Sequence, residues 1–264
     1  MIYLSNILYA LAATTVTWLF TAIGAAAVFI YKKADAQSSR LLLGFAAGVM
    51  ISASFWSLLS PAVERARLSG MTAPWLIATA GFLSGAGFMY AMDCLSGYLR
   101  RKRHSSEKQR SRASLMVLSI TLHNIPEGLA VGVAFGALGA SFDAEALTGA
   151  TVLALGIAVQ NFPEGAAVSL PLRREGISRP KSFLIGQASG MVEPVAGVIG
   201  AAAVSAVSSL LPFALSFAAG AMIVVAVHEL IPECESDGSR SPYLGTMGIV
   251  LGFSLMMLLD VALG

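Results

Sequence analysis

One polar pattern occurs twice within long apolar parts of the sequence, which reads HNIPEG from residue 123 and QNFPEG from residue 160. Positions four apart share one face of a helix, so His123 and Glu127 form one pair and Gln160 and Glu164 form another. Carboxylates, a neutral imidazole and amide oxygens are all ligands for divalent cations. If the two segments meet, the pattern predicts a divalent-cation site between them.

The cost of these residues favours a functional interpretation. An ionised carboxylate in an apolar segment is expensive unless it is paired, and such groups are functional by default. The cores of the apolar segments contain no Lys or Arg that could neutralise Glu127 and Glu164. Pro126 and Pro163 each free a backbone carbonyl, which then needs a polar partner. For one motif alone, a protonated glutamate or a proton relay is the alternative, whereas the repeated motif favours a cation.

Three further features add candidates to this site. Glu193, in SGMVEPVAG, is a third carboxylate within an apolar segment. Met50 offers a soft thioether, although packing is its more common use. The sequence HELIPE brings together His228, Glu229 and Glu233, but it lacks the second histidine of a zinc-protease motif.

Composition identifies the elements that must position these residues. The 264-residue chain is 56% hydrophobic and only 12% charged, and its mean hydropathy is +0.75, whereas soluble domains carry roughly a quarter charged residues. Apolar runs of about 20 residues are predicted to span a membrane as helices. The sequence predicts one all-α membrane domain over residues 1–264, with eight spans at 6–31, 41–62, 75–98, 114–139, 145–171, 182–207, 211–232 and 244–263.

The basic residues predict the orientation of these spans. Fifteen Lys and Arg residues fall on one side of an eight-span chain, against only Arg65 and Arg67 on the other. Basic loops face the cytoplasm, so both termini are expected outside it. The polar loop 100–112 is then a cytoplasmic orientation signal, and nucleic-acid binding is not expected. Cys94 and Cys234 lie beside cytoplasmic ends and are expected to be reduced. In span four, glycines recur every fourth residue from Gly128, which predicts a ridge for close helix packing.

The sequences HNIPEGLAVGVAFG and QNFPEGAAVSLPL closely resemble the fourth and fifth spans of the ZIP (Zrt/Irt-like) divalent-metal transporters. The overall pattern resembles the bacterial GufA-type branch. The resemblance implies eight transmembrane helices in a 3+2+3 arrangement, in which spans 1–3 and 6–8 form an inverted repeat around spans 4 and 5. It also implies a homodimer in the cell (inner or plasma) membrane.

The resemblance further implies a binuclear metal site and a path to it. One ion would be bound by His123, Glu127, Gln160, Glu164 and Met50, and a second by Asn124, Asn161 and Glu193, with Glu127 and Glu164 bridging. Ser57 and Glu64 match positions on the approach to this site, and His228 and Glu229 match polar positions towards the cytoplasm. Many relatives carry histidine in place of Gln160. An acidic residue in place of Asn161 would give the second position more charge.

The function that these features predict is import of Zn²⁺ into the cytosol, with Cd²⁺, Fe²⁺ and Mn²⁺ as further candidate substrates and with little or no coupling to protons. The resemblance implies that spans 1, 4, 5 and 6 move as a bundle against spans 2, 3, 7 and 8, as in an elevator. One alternative is a metal-selective channel along the same path. Another is an intramembrane metal-dependent hydrolase that uses a glutamate as general base, although no nucleophile or oxyanion donor is evident.

Overall fold

The structure is a computed structural model that describes residues 2–30, 36–103, 110–138, 144–174, 176–235 and 243–263. Within these ranges every regular element is helical. The predicted all-α class is confirmed, and its reason is physical: in lipid, a single apolar segment satisfies its own backbone hydrogen bonds only as a helix.

The helices follow one another closely along the chain. In order, the α-helices of the described part are α1 (Ile2–Ala25), α2 (Ala27–Ile30), α3 (Ala36–Ala53), α4 (Ser60–Leu68), α5 (Pro74–Arg103), α6 (Arg110–Gly136), α7 (Ala144–Arg174), α8 (Arg179–Ser189), α9 (Val192–Ala206), α10 (Leu211–Val225), α11 (Ile231–Glu235) and α12 (Leu244–Leu263). Two π turns, Ser54–Leu59 and Ala226–Leu230, join α3 to α4 and α10 to α11, and a 3₁₀ turn, Ser208–Leu210, precedes α10.

Seven helical segments of the described chain are long and apolar enough to cross a membrane, and they match seven of the predicted spans: Leu4–Ile30, Gln37–Leu68, Pro74–Leu95, Ala144–Arg173, Arg179–Ala206, Ser208–Glu235 and Leu244–Leu263. Large apolar side chains such as Leu83 and Leu258 are 63% and 60% exposed, whereas Glu127 and Gln160 are fully buried. An apolar exterior around a polar interior suits a lipid environment. The chain is therefore a multi-pass membrane protein.

The predicted fourth span, residues 114–139, lies largely within α6. With 27 residues, α6 is about 40 Å long, which is enough to cross a hydrocarbon core of about 30 Å. Described side chains begin only at residue 121 of this helix, and α6 is not among the seven apolar segments of the described chain. Its role as a span stays a prediction.

The polar loop predicted at 100–112 is shorter in the structure. Helix α5 continues to Arg103 and α6 begins at Arg110, so the basic residues at both ends of the predicted loop are helical. Residues 104–109 lie outside the described part of the chain. The 30 residues of α5 extend about 45 Å, which exceeds the hydrocarbon thickness of about 30 Å. Helix α5 therefore extends beyond the apolar part of its sequence.

Prolines account for the two π turns. Pro61 and Pro232 follow these turns by two residues and lack the N–H that would continue the regular hydrogen-bond ladder. The N–H groups of Ser60 and Ile231, which directly precede these prolines, bond to carbonyls five residues back. Single π turns inside α-helices are frequent at functional sites, and these two carry Ser57 on one side and His228 and Glu229 on the other.

The helices pack as two groups. Helices α1, α6, α7, α8 and α9 pack mainly on one another, while α12 packs on α3 and α10 packs on α4 and α5. The groups meet where α7 lies against α3 and where α6 lies against α10. The polar motifs of α6 and α7 therefore belong to one group and lie next to its boundary with the other.

Glycines set the closest approach between helices. A Cβ atom added at Gly132 of α6 would lie 2.1 Å from the backbone oxygen of Gly197 in α9, and one added at Gly136 would lie 2.7 Å from the Cα of Ala201. No side chain fits at these distances. The predicted glycine ridge of α6 is confirmed, and its partner is α9.

Candidate metal site

The two polar motifs come together between α6 and α7. The side-chain amide of Gln160 donates a hydrogen bond of 2.9 Å to the carboxylate of Glu127. His123, Glu127, Gln160 and Glu164 are all buried, with exposures of 6%, 0%, 0% and 6%. The predicted meeting of the motifs is confirmed by this bond, while the role of the four side chains as metal ligands stays a prediction.

Five buried oxygen atoms of the two motifs have no hydrogen-bond partner in the described part of the chain. They are Asn124 Oδ1, Glu127 Oε2, Gln160 Oε1, Asn161 Oδ1 and Glu164 Oε1. Leaving a buried polar atom unpaired costs about 1–3 kcal/mol, and more for a charged group. All five atoms are acceptors in their amide or carboxylate form. Acceptor oxygens of this kind are ligands for a divalent cation.

The ligand chemistry of the site is mixed. Among the residues that the structure describes, no three His, Cys, Asp or Glu side chains form a group that could hold a metal ion by themselves. The amide of Gln160 lies against the carboxylate of Glu127, and the amide of Asn161 lies against that of Glu193. A cation bound here would therefore depend on amide oxygens as well as on carboxylates, a set that suits divalent ions with oxygen ligands.

Glu193 lies next to Asn161 and faces several hydrogen-bond donors. The amide nitrogen of Asn161 lies 3.0 and 2.9 Å from the two oxygens of Glu193. The hydroxyl of Thr17 donates a bond of 2.5 Å to Oε2, and the hydroxyl of Thr21 lies 3.5 Å from Oε1. The amide of Asn124 donates 2.9 Å to the carbonyl of Ser189. The structure thus brings Glu193 to Asn161, and it brings Asn124 to the end of α8.

His123 joins the site to the second group of helices. Its imidazole is in direct contact with the carboxylate of Glu229, which lies on the π turn after α10. The neighbouring His228 is exposed and lies 3.5 Å from Asp93 of α5. The predicted path residue Glu229 therefore reaches the site itself, while His228 points to a separate acidic neighbour.

The other predicted residues occupy different positions. Met50 is fully buried within the hydrophobic core cluster, and its role as a ligand stays a prediction. Ser57 donates a hydrogen bond of 2.6 Å to Asp260 of α12. Glu64 is exposed on α4.

Three polar residues with contacts to predicted site or path residues were not predicted from the sequence: Thr17, Thr21 and Asp260. The two threonines are four residues apart in an apolar helix, so they share one face, and that spacing was a usable signal. Asp260 is an acidic residue in the last apolar segment, and the rule applied to Glu193 would have identified it.

Helix packing leaves no room for a side chain at the final glycine of each motif. A Cβ atom added at Gly128 would lie 2.5 Å from the backbone oxygen of Glu193, and one added at Gly165 would lie 2.0 Å from that of Thr21. Each glycine therefore lets a motif helix approach the helix that carries Glu193 or its partners. In this way the motif sequence positions the site as well as furnishing its polar atoms.

Comparison with known proteins gives consistent matches. A family model described as ZIP Zinc transporter matches residues 100–260. The zinc transporter ZIP11 of Xenopus tropicalis is 40% identical over an alignment 334 positions long, which covers 98% of each chain. The zinc transporter GufA of Myxococcus xanthus is 37% identical and covers 92% of this chain and 94% of its own, and ZIPB of Bordetella bronchiseptica is 35% identical and covers 92% and 78%.

These matches decide between two classes that the sequence left open. The relatives are zinc transporters and not enzymes, so the intramembrane hydrolase is set aside. The family match includes both polar motifs and Glu193, and the relatives extend over nearly the whole chain. The chain therefore belongs to the ZIP family of zinc transporters, in its bacterial GufA-type branch.

Proposed function

We propose that this chain carries Zn²⁺ across the cell membrane into the cytosol through the buried polar site between α6 and α7. The observation that carries this proposal is the set of unpartnered acceptor oxygens around Glu127, Gln160 and Glu164. A transporter that binds and releases a cation needs acceptor oxygens that are not already hydrogen-bonded to donors of the protein. Cd²⁺, Fe²⁺ and Mn²⁺ are further substrates of the proposal, because oxygen-rich ligand sets discriminate weakly among divalent ions.

The packing of the helices supports transport by alternating access. Both motifs lie on the group that contains α1, α6, α7 and α9, and His123 contacts Glu229 on the other group. Sliding of one group against the other would carry the site along the boundary and break this contact. In the proposed mechanism the contact is made in one orientation of the carrier and lost in the other, as in an elevator.

A repeated local structure supports the eight-span, 3+2+3 arrangement with an inverted repeat. Spans two and seven occupy equivalent places in spans 1–3 and 6–8. Each consists of an apolar helix, a π turn and a short helix whose second residue is proline, at Pro61 and Pro232. Two such matching interruptions at equivalent places fit an origin by duplication, and inverted repeats are common in carriers. Assembly as a homodimer is part of the same proposal, by resemblance to the family.

The proposal is tested by uptake into sealed proteoliposomes that contain the purified protein. Radiolabelled zinc should accumulate inside in a saturable manner, and an excess of unlabelled Zn²⁺ should compete. Uptake should change little when a proton gradient is imposed in either direction. Protein-free vesicles are the control, and equal accumulation in both preparations would contradict the proposal. Uptake that rises linearly with zinc and never saturates would favour a channel over a carrier.

The proposed orientation gives a separate prediction. In a chain whose two native cysteines are replaced by serine, a cysteine introduced at Ser106 or Arg174 should react with an impermeant thiol reagent only from the cytoplasmic side. A cysteine introduced at Ser141 should react only from the opposite side. The reason is the distribution of fifteen basic residues against two. Labelling of the cysteines at positions 106 and 141 from the same side would contradict the eight-span topology and the direction of transport that rests on it.

A further inference from the structure

The environment of Glu193 differs from that of the other two carboxylates. Glu127 receives one hydrogen bond, from Gln160, and its second oxygen is buried without a partner. Glu164 also has a buried oxygen without a partner. Both oxygens of Glu193, in contrast, accept hydrogen bonds from protein donors. Two of the three carboxylates therefore each keep an oxygen that is open to a cation or a proton, whereas both oxygens of the third are occupied by protein donors.

The backbone around Glu193 also favours a carboxylate without an ion. Helix α8 ends at Ser189 and α9 begins at Val192, so Glu193 lies in the first turn of a new helix within one membrane segment. The N-terminal end of a helix attracts negative charge. Gly190 makes the interruption compact: a Cβ atom there would lie 3.0 Å from both Glu193 Oε1 and Thr21 Oγ1. The N-terminal end of α9 and the side-chain donors therefore both stabilise the carboxylate of Glu193.

Asn161 fixes which way the polar atoms point. Its amide nitrogen is directed at Glu193 and at the backbone oxygen of Thr17, at 3.2 Å. Its amide oxygen is attached to the same carbon as this nitrogen and is one of the unpartnered buried acceptors. To ligate a cation beside Glu193 through its oxygen, Asn161 would have to turn over and give up its bonds to both carboxylate oxygens.

We propose that Glu193 is a hydrogen-bonded anchor that ties α1, α7 and α9 together through Thr17, Thr21 and Asn161, and that the chain consequently binds one transported cation rather than two. This inference rests on the proposed transport function and departs from the binuclear arrangement that the family resemblance implies. In it, the amide nitrogen of Asn161 takes the place of the second ion. Thr17 and Asn161 are positioning residues, and Glu193 is not a metal ligand.

Replacement of Asn161 by Asp would reverse this assignment. Aspartate has no N–H to donate, so Asn161→Asp sets two carboxylates against each other where a donor now faces an acceptor. Two such carboxylates need a shared cation or a proton. We therefore expect Asn161→Asp to create the second metal position, with Glu193 as one of its ligands.

The test is the number of zinc ions retained by the full-length purified chain after equilibration with Zn²⁺, measured by elemental analysis against protein concentration. The chains compared differ only at the buried site, so any zinc on exposed side chains contributes equally to each. Relative to the native chain, Glu193→Gln should retain the same number, Asn161→Asp one more, and the double variant Asn161→Asp/Glu193→Gln the native number again. Glu127→Gln should retain one fewer.

The outcomes separate this inference from the proposed function. Loss of one ion in Glu193→Gln would overturn the anchor and restore a binuclear site, while leaving zinc transport in place. An unchanged count in a folded Asn161→Asp variant would also overturn the inference. If Glu127→Gln retains as much zinc as the native chain, the assignment of the transport site to Glu127 and its neighbours is wrong. Glutamine at position 193 has nearly the shape of glutamate, and the elution profile of each variant on size exclusion verifies that it is folded.

Discussion

Replacement of Glu127 by Gln should reduce zinc uptake to the background of protein-free vesicles. Glutamine keeps the shape of glutamate and an oxygen that can accept from Gln160. It removes one negative charge and puts an N–H donor where the structure has an unpartnered acceptor oxygen. His123→Ala should have a similarly severe effect, because it removes the buried imidazole of the same face. The measurement is radiolabelled zinc uptake, normalised to the amount of reconstituted protein.

A control on the same group of helices makes this result interpretable. Glu145 is exposed in the first turn of α7, and Glu145→Gln changes the net charge by the same amount without touching the site. It should retain near-normal uptake. The double change Glu127→Gln/Glu164→Gln should lose little beyond the single change, because a site without one of its two carboxylates has already failed. If Glu127 is instead protonated and structural, Glu127→Gln is nearly isosteric, and near-normal uptake by that variant would refute the metal site.

Replacement of Gly132 by Ala should strongly destabilise the fold. The new methyl group would lie 2.1 Å from the backbone oxygen of Gly197, and backbone cannot move aside without separating α6 from α9. Overpacking of this kind typically costs about 1–3 kcal/mol and occasionally more. Thermal unfolding of the purified protein in detergent should show a clearly lower midpoint, with a smaller yield of folded protein.

Gly149 offers a matched control in α7. A Cβ atom there meets nothing within 4 Å, so Gly149→Ala adds the same methyl group without a clash. Because alanine is favoured over glycine in a helix by about 0.5–1 kcal/mol, this variant should be as stable as the native chain or slightly more so. Equal unfolding midpoints for Gly132→Ala and Gly149→Ala would contradict the close approach of α6 and α9.

The local sequence pattern was sufficient to predict the helices and the contact between the two motifs. A run of apolar residues forces a helix in lipid, and the spacing of His123 and Glu127 places them on one face. Polar side chains that face lipid are energetically costly, so two neighbouring helices that each carry a polar face pack with those faces together. The Gln160–Glu127 bond is the result. Prolines inside α6 and α7 did not end these helices.

Contacts between distant parts of the chain could not be predicted in this way. Thr17 and Glu193 are 176 residues apart, and no spacing rule connects them. The contact between His123 and Glu229 likewise depends on how two groups of helices meet. The same limit explains Asn161. Its sequence position identified it as a polar neighbour of the site, but only packing determines that its nitrogen donates to Glu193 while its oxygen is left without a hydrogen-bond partner.

The central claim is that a divalent cation lies between Glu127 and Glu164, and anomalous diffraction from crystals grown with Zn²⁺ tests it most directly. The account predicts a zinc peak at about 2.0–2.2 Å from carboxylate oxygens of both residues, with no second peak against Glu193. Zinc confined to exposed groups such as His228, with Glu127 and Glu164 closed on protein partners instead, would contradict it.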